Sequence, residues 1–190
     1  MITCSRVTAF LVIAVLVLLA AGCTGGKTIS PPQEPLDPRV ETLYGKAYVL
    51  WGREDRCSDP ERAIALLNSA LDIAPEHAPS LVRRGLAYAQ LGYFEDAFND
   101  ITRAITLSPT AENYAWRAAV LLREGNEKAA QSDLDFAFRL DNNCRQAWNT
   151  QGLLHLAQGD DEKACKAFRN ASNAGDATWL IRARKENICR

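Results

Sequence analysis

The sequence predicts an all-α chain built as a row of helix–turn–helix units and closed by one further helix. Three observations carry that prediction. Alanines recur at Ala63, Ala97, Ala130 and Ala164, at intervals of 34, 33 and 34 residues. Four residues after each stands a larger apolar side chain (Leu67, Ile101, Leu134, Phe168), and three further on alanine returns at Ala70, Ala104, Ala137 and Ala171. Finally, Gly92, Gly125 and Gly159 punctuate the middle of the last three units, and Pro75 and Pro109 close the first two. Steps of three and four put residues on one face of a helix. Small residues on such a face let two helices approach closely, while the large ones fill the space between them.

Taken in order, residues 1–22 form a targeting segment. A short start with one basic side chain, Arg6, precedes fifteen nearly all apolar residues at 7–21. That run is short for a membrane span of about 20 residues and fits the apolar region of a secretory signal. Its end, Leu19-Ala20-Ala21-Gly22-Cys23, resembles the lipobox of bacterial lipoproteins. The resemblance implies that Cys23 is acylated, palmitate included, and becomes the first residue of the mature chain. Two or more acyl chains anchor a protein firmly where one is marginal. Thr24 follows where aspartate favours inner-membrane retention, which points to the outer membrane, facing the periplasm. Residues 23–38 then hold two glycines and four prolines, a composition that gives a linker rather than a helix.

The four units are expected over 39–77, 78–110, 111–144 and 145–176. In the last three, a small residue (Gly85, Ala118, Gly152) sits twelve before the repeating alanine. Four before that small residue lies Leu81, Tyr114 or Trp148, and three after it Tyr88, Leu121 or His155. The glycine after each first helix suits the left-handed turn that ends it. The first unit is irregular: Gly45, Ala47 and Tyr48 supply its first helix, and an insertion, WGREDRCSD, precedes its second. Asp59-Pro60 caps and starts that second helix. Residues 177–190 read as a capping helix, with Trp179, Leu180 and Ala183 available to cover the exposed end of the stack.

This small–large–aromatic pattern closely resembles the tetratricopeptide repeat, over residues 40–176. The resemblance implies a right-handed α-solenoid of four repeats whose first helices line a groove for a peptide or a partner helix. Projected onto that register, the groove residues are Val82, Leu86 and Gln90 in the second unit, and Ala115, Ala119, Leu122 and Arg123 in the third. The fourth contributes Asn149, Leu153 and Leu156. The lysine–asparagine clamp some members use for a terminal carboxylate is not reproduced, leaving Arg123 to meet one acidic group.

Four cysteines remain beyond Cys23. In a hairpin stack Cys165 lies early in a descending helix and Cys189 late in the next ascending one, so the two face each other. The expectation is a disulfide between them, with a pair of small buried thiols as the alternative. Cys57 and Cys144 lie too far apart in the stack to pair and are expected as free thiols.

The remaining chemistry points away from catalysis. A net charge of −1, from 22 basic and 23 acidic residues, is no footprint for nucleic acid. No nucleophile motif, phosphate loop or metal-ligand spacing occurs, and no cofactor, metal or small-molecule substrate is expected. His77 is expected in a solvated connection and His155 packed in a large-residue place. Asp160-Asp161-Glu162 opens a helix, where negative charge meets the dipole favourably. The reading is a non-enzymatic, lipid-anchored adaptor whose partners are envelope proteins or peptides, in pilus, secretion or cell-wall assembly. The alternative is a structural protein that self-associates.

Overall fold

A computed structural model describes residues 35–52 and 56–189. Cys23 and the expected signal segment lie outside the described residues. The described chain is all-α, a tetratricopeptide-like array of paired helices. The pairs are α1 (Pro38–Tyr48) with α2 (Pro60–Ile73), and α3 (Ala78–Leu91) with α4 (Phe94–Leu107). They continue with α5 (Ala111–Glu124) and α6 (Glu127–Leu140), then α7 (Arg145–Ala157) and α8 (Asp161–Asn173), and α9 (Thr178–Lys185) follows. Each second helix also packs on the first helix of the next unit, and the first helices α3, α5 and α7 touch in series.

Close approach within a pair depends on the small residues named from sequence. A Cβ added to Gly85 would lie 2.8 Å from Ile101 Cγ1 and 2.9 Å from the Ala97 carbonyl oxygen. At Gly152 it would meet the Phe168 ring at 2.3 Å. In the first unit this place belongs to Ala47, which is wholly buried, and not to Gly45, whose added Cβ would touch nothing within 4 Å. Ala47 and Ala63 are therefore sixteen residues apart where the other units have twelve. The first helix stops early, and residues 49–52 and 56–59 form a strap with a Trp51–Cys57 bridge.

Local chemistry sets the helix ends. Gly92 and Gly125 take left-handed φ values of 87° and 91°, and the next residue's N–H reaches back to the Tyr88 or Leu121 carbonyl at 3.0 and 2.8 Å. Thr110 and Asn126 accept backbone N–H groups as N-caps, a role not assigned to them from sequence. Asp160 does the same for Lys163 at 3.0 Å, as the acidic run suggested. Asp37 caps α1, and its hydrogen bonds with Arg39 bring its carboxyl down to about 2.

Two ion pairs repeat with the units. Arg84 donates from Nε and Nη2 to Asp100 at 2.7 Å each, and Arg117 does so to Asp133 at 2.7 and 2.8 Å. Each arginine also bonds the preceding unit, Arg84 to Asn68 Oδ1 at 2.7 Å and Arg117 to Thr102 Oγ1 at 3.3 Å. The carboxylate hydrogen bonds push both guanidinium groups above their ordinary pKa. The fourth unit carries Gln151 and Ala167 at these places, and Gln151 instead bonds Gln131 and His155.

Cys165 and Cys189 form a disulfide with Cα atoms 5.5 Å apart. It ties α8 to the turn after α9, where Phe168 and Trp179 stack at 6.2 Å. Cys57 and Cys144 are free and buried, and burial pushes both thiols up. His77 departs from the solvated place expected of it. It precedes α3 with Nδ1 2.7 Å from Ser80 Oγ and its ring edge-on to Tyr44, and burial lowers its pKa. His155 is half-buried beside Gln151, its Nε2 3.1 Å from the Gln151 amide.

Candidate functional site

The face of the first helices is where sequence placed a groove, and the structure divides those residues into three groups. Val82 and Leu86 are 6% and 3% exposed, inside a core cluster against which Trp51 of the strap packs. Ala115 and Asn149 are also buried; Asn149 Nδ2 donates to Asp176 Oδ2 at 2.7 Å. Burial alone would raise Asp176, but hydrogen bonds from Thr178 and Asn149 hold its carboxyl below the usual range. Ala119, Leu122, Leu153 and Leu156 are half-buried and Arg123 is exposed.

Gln90 has a use the register did not foresee. Its Oε1 accepts the Cys57 N–H at 2.9 Å and its Nε2 donates to the Cys57 carbonyl at 2.7 Å. One side-chain amide thus satisfies both main-chain groups of a strap residue, the kind of pairing a strand neighbour provides. The strap is further pinned by Gly52 N–H to Arg56 O and Ser58 N–H to Leu50 O, both 2.9 Å. The strap therefore already covers part of the face on α3.

What stays open is a cavity of about 600 Å³ in which the fold does bring together Gln90, Arg123 and Leu153. Arg56 of the strap lines it, as do Phe94 of α4 and Trp179 and Arg182 of α9. Arg182 stacks over Trp179 at 5.4 Å and pairs with Glu186 at 2.9 Å. Residues from the insertion and the cap thus join a surface that the repeat register assigned to the first helices alone. No periodic signal could have found Arg56, Trp179 or Arg182, because none of them lies at a repeat position. A second cavity, about 310 Å³, lies lower on the same face and is lined by Val82, Arg83 and Trp116 among others.

The tetratricopeptide repeat family profile matches residues 78–110 and 146–174. The chain is 32% identical over 99 residues to DnaJ homolog subfamily C member 7 of Mus musculus, which covers 52% of the chain and 20% of that protein. It is 27% identical over 134 residues to tetratricopeptide repeat protein 13 of Homo sapiens, covering 70% of the chain and 16% of that protein. The chain thus spans a fifth or less of these relatives. Among solved structures, a thermophilic TPR protein of Thermus thermophilus superposes with a TM-score of 0.64 at 20% identity, with 82% of each chain covered. YrrB, described as a TPR protein with an unusual peptide-binding site, gives 0.50 at 20% identity, covering 82% of this chain and 80% of its own. Helix pairing, small-residue contacts and matched repeats agree: the described chain folds as a tetratricopeptide-type array of paired helices, and residues 78–110 and 146–174 match the repeat itself.

Proposed function

We propose that this protein is an adaptor, tethered by lipid at Cys23 in the bacterial cell envelope, that docks other envelope proteins on the face of its first helices. The observation that carries the reading is the 600 Å³ cavity, where apolar Leu153 and Phe94 sit beside Arg56 and Arg123. Apolar anchors with a few charged points are what a polypeptide segment needs for affinity and orientation. YrrB, described as having a peptide-binding site, is a precedent of fold only. The tether rests on the lipobox resemblance, and assembly of a pilus, secretion or cell-wall complex is the process we assign by analogy of fold.

The test is affinity capture from detergent-solubilised membranes with the native chain and a Leu122→Lys/Leu153→Lys variant, the variant first shown to be folded by circular dichroism. Both leucines are half-buried, unlike Leu86, whose replacement would disrupt the core. Partners held by the native chain and lost by the variant support the reading; partners indifferent to the variant sink it. In the same cells, a Cys23→Ala chain is expected to lose acyl labelling and leave the membrane fraction. Unchanged labelling would remove the tether.

A second reading, self-association, draws on exposed apolar side chains of the second helices: Phe98 on α4 and Phe136 and Leu140 on α6. Sedimentation of the acyl-free chain separates the two, since a concentration-independent monomer excludes it.

A further inference from the structure

Two surface features outside the docking cavity complement each other. The first is a cleft of about 540 Å³ formed by α4, α5 and α6. Its lining is largely apolar: Leu121 is buried, Ala129 half-buried, and Phe98 39% exposed. Two exposed carboxylates, Glu95 and Glu124, line it as well, and among the described residues neither forms an ion pair. Arg117 also borders the cleft, but two hydrogen bonds at 2.7 and 2.8 Å commit it to Asp133. The cleft therefore sets two uncompensated negative charges around an apolar floor. An occupant must bring an apolar group with cations beside it, because matched signs select the partner across an interface.

The second feature is on α9. Leu180 and Ala183 pack that helix against α8, and Trp179 and Arg182 line the docking cavity. Ile181, Arg184 and Lys185, at spacings of three and four, make a separate stripe on the helix. Ile181 is 57% exposed, and both cations are exposed. The stripe thus carries one apolar side chain and two positive charges, the counterpart of the cleft. Because the Cys165–Cys189 disulfide ties the end of α9 to α8, in the fourth unit, the stripe is held away from the cleft of its own chain.

We propose that the cleft receives a second copy of this chain, joined head to tail, with Ile181 of one copy seated in the cleft of the next. Arg184 and Lys185 then meet Glu95 and Glu124. Cleft and stripe are different surfaces, so each joined copy keeps one of them to extend the row unless the rotation closes a ring. The contact rests on the self-association reading, and it leaves the docking cavity free because Trp179 and Arg182 lie off the stripe. One apolar side chain and two charge pairs make a small interface, so a Kd on the order of 100 µM is expected.

The test is sedimentation equilibrium of the acyl-free mature chain beside Glu95→Lys/Glu124→Lys and Arg184→Glu/Lys185→Glu, with folding checked by circular dichroism. Each variant alone should associate about tenfold more weakly or worse, since like charges then face each other. Mixed in equal amounts, the two should regain native association, because each supplies the surface the other has lost. A control, Glu76→Lys/Glu112→Lys, changes the net charge as the first variant does, leaves the cleft intact, and should associate as the native chain does. Carbodiimide cross-linking of mixed light and heavy native chains needs no variant, and should join Lys185 of one copy to Glu95 or Glu124 of another. A native chain that stays monomeric to about 1 mM overturns the contact together with the self-association reading. Native association that survives in both variants, a mixture no stronger than its parts, a control as weak as the first variant, or links between copies only elsewhere overturns this contact alone.

Discussion

Gly152 is where a single hydrogen atom decides the packing of a unit. With the Phe168 ring edge 2.3 Å from where a Cβ would stand, neither group has room to yield without moving the helix pair. Phe168 is wholly buried and bounded by α9, so it has nowhere to turn. Gly152→Ala is expected to destabilise the fold by about 1–3 kcal/mol, the usual cost of overpacking, despite the better helix propensity of alanine. Chemical denaturation checks it, and a stabilised variant would contradict the assigned contact. This position was legible in the sequence because small and large residues recur in register. Arg83 was not, since a cation among the rings of Tyr48, Trp51 and Trp116 follows from where the strap folds and not from any spacing.

Among the helices, the repeated Arg–Asp pairs carry information that apolar periodicity passes over. Arg84 and Arg117 stand 33 residues apart, as do Asp100 and Asp133, so the pairing was present in the sequence as a second period laid on the first. Each arginine bonds a helix of its own unit and one of the preceding unit, so it fixes the angle between units as well as within one. Asp133 is 6% exposed, and removing it leaves the half-buried Arg117 guanidinium without its carboxylate. Asp133→Ala is expected to cost about 3 kcal/mol, whereas Arg117→Leu/Asp133→Leu, which removes both charges, should cost much less. A double-mutant cycle in urea measures the difference, and additive single effects would show that the pair is not coupled. The strap, by contrast, could not be foreseen at this scale. An insertion has no repeat to be read against, and Gln90 was placed in the open groove because nothing in the register says that a loop will cover it.

Across the whole molecule, the paired-helix array and the cap were legible, and the Cys165–Cys189 bridge agrees with the position of those cysteines in the hairpin order. The surface was less so, because the open cavity borrows residues from both non-repeating parts, the strap and α9. In an array each unit is stabilised mainly by its neighbours, so the last one is the first to fray unless held. Reducing the disulfide is expected to lower stability by about 3 kcal/mol. Exchange of the α9 amides should rise first and that of α3 and α4 least. Uniform acceleration along the chain would show that the cap is not a separate unit.

The bridge also changes what happens to a damaged copy. Cys165 and Cys189 are 24 positions apart. The chain from Cys165 in α8 through α9 to Cys189 is thus a covalent ring. A cut inside that ring leaves both pieces joined, so the clipped protein still travels as one particle until a reductant reaches it. An unfolding protease that threads the chain through this stretch meets a closed loop, and must pull two strands abreast or let go.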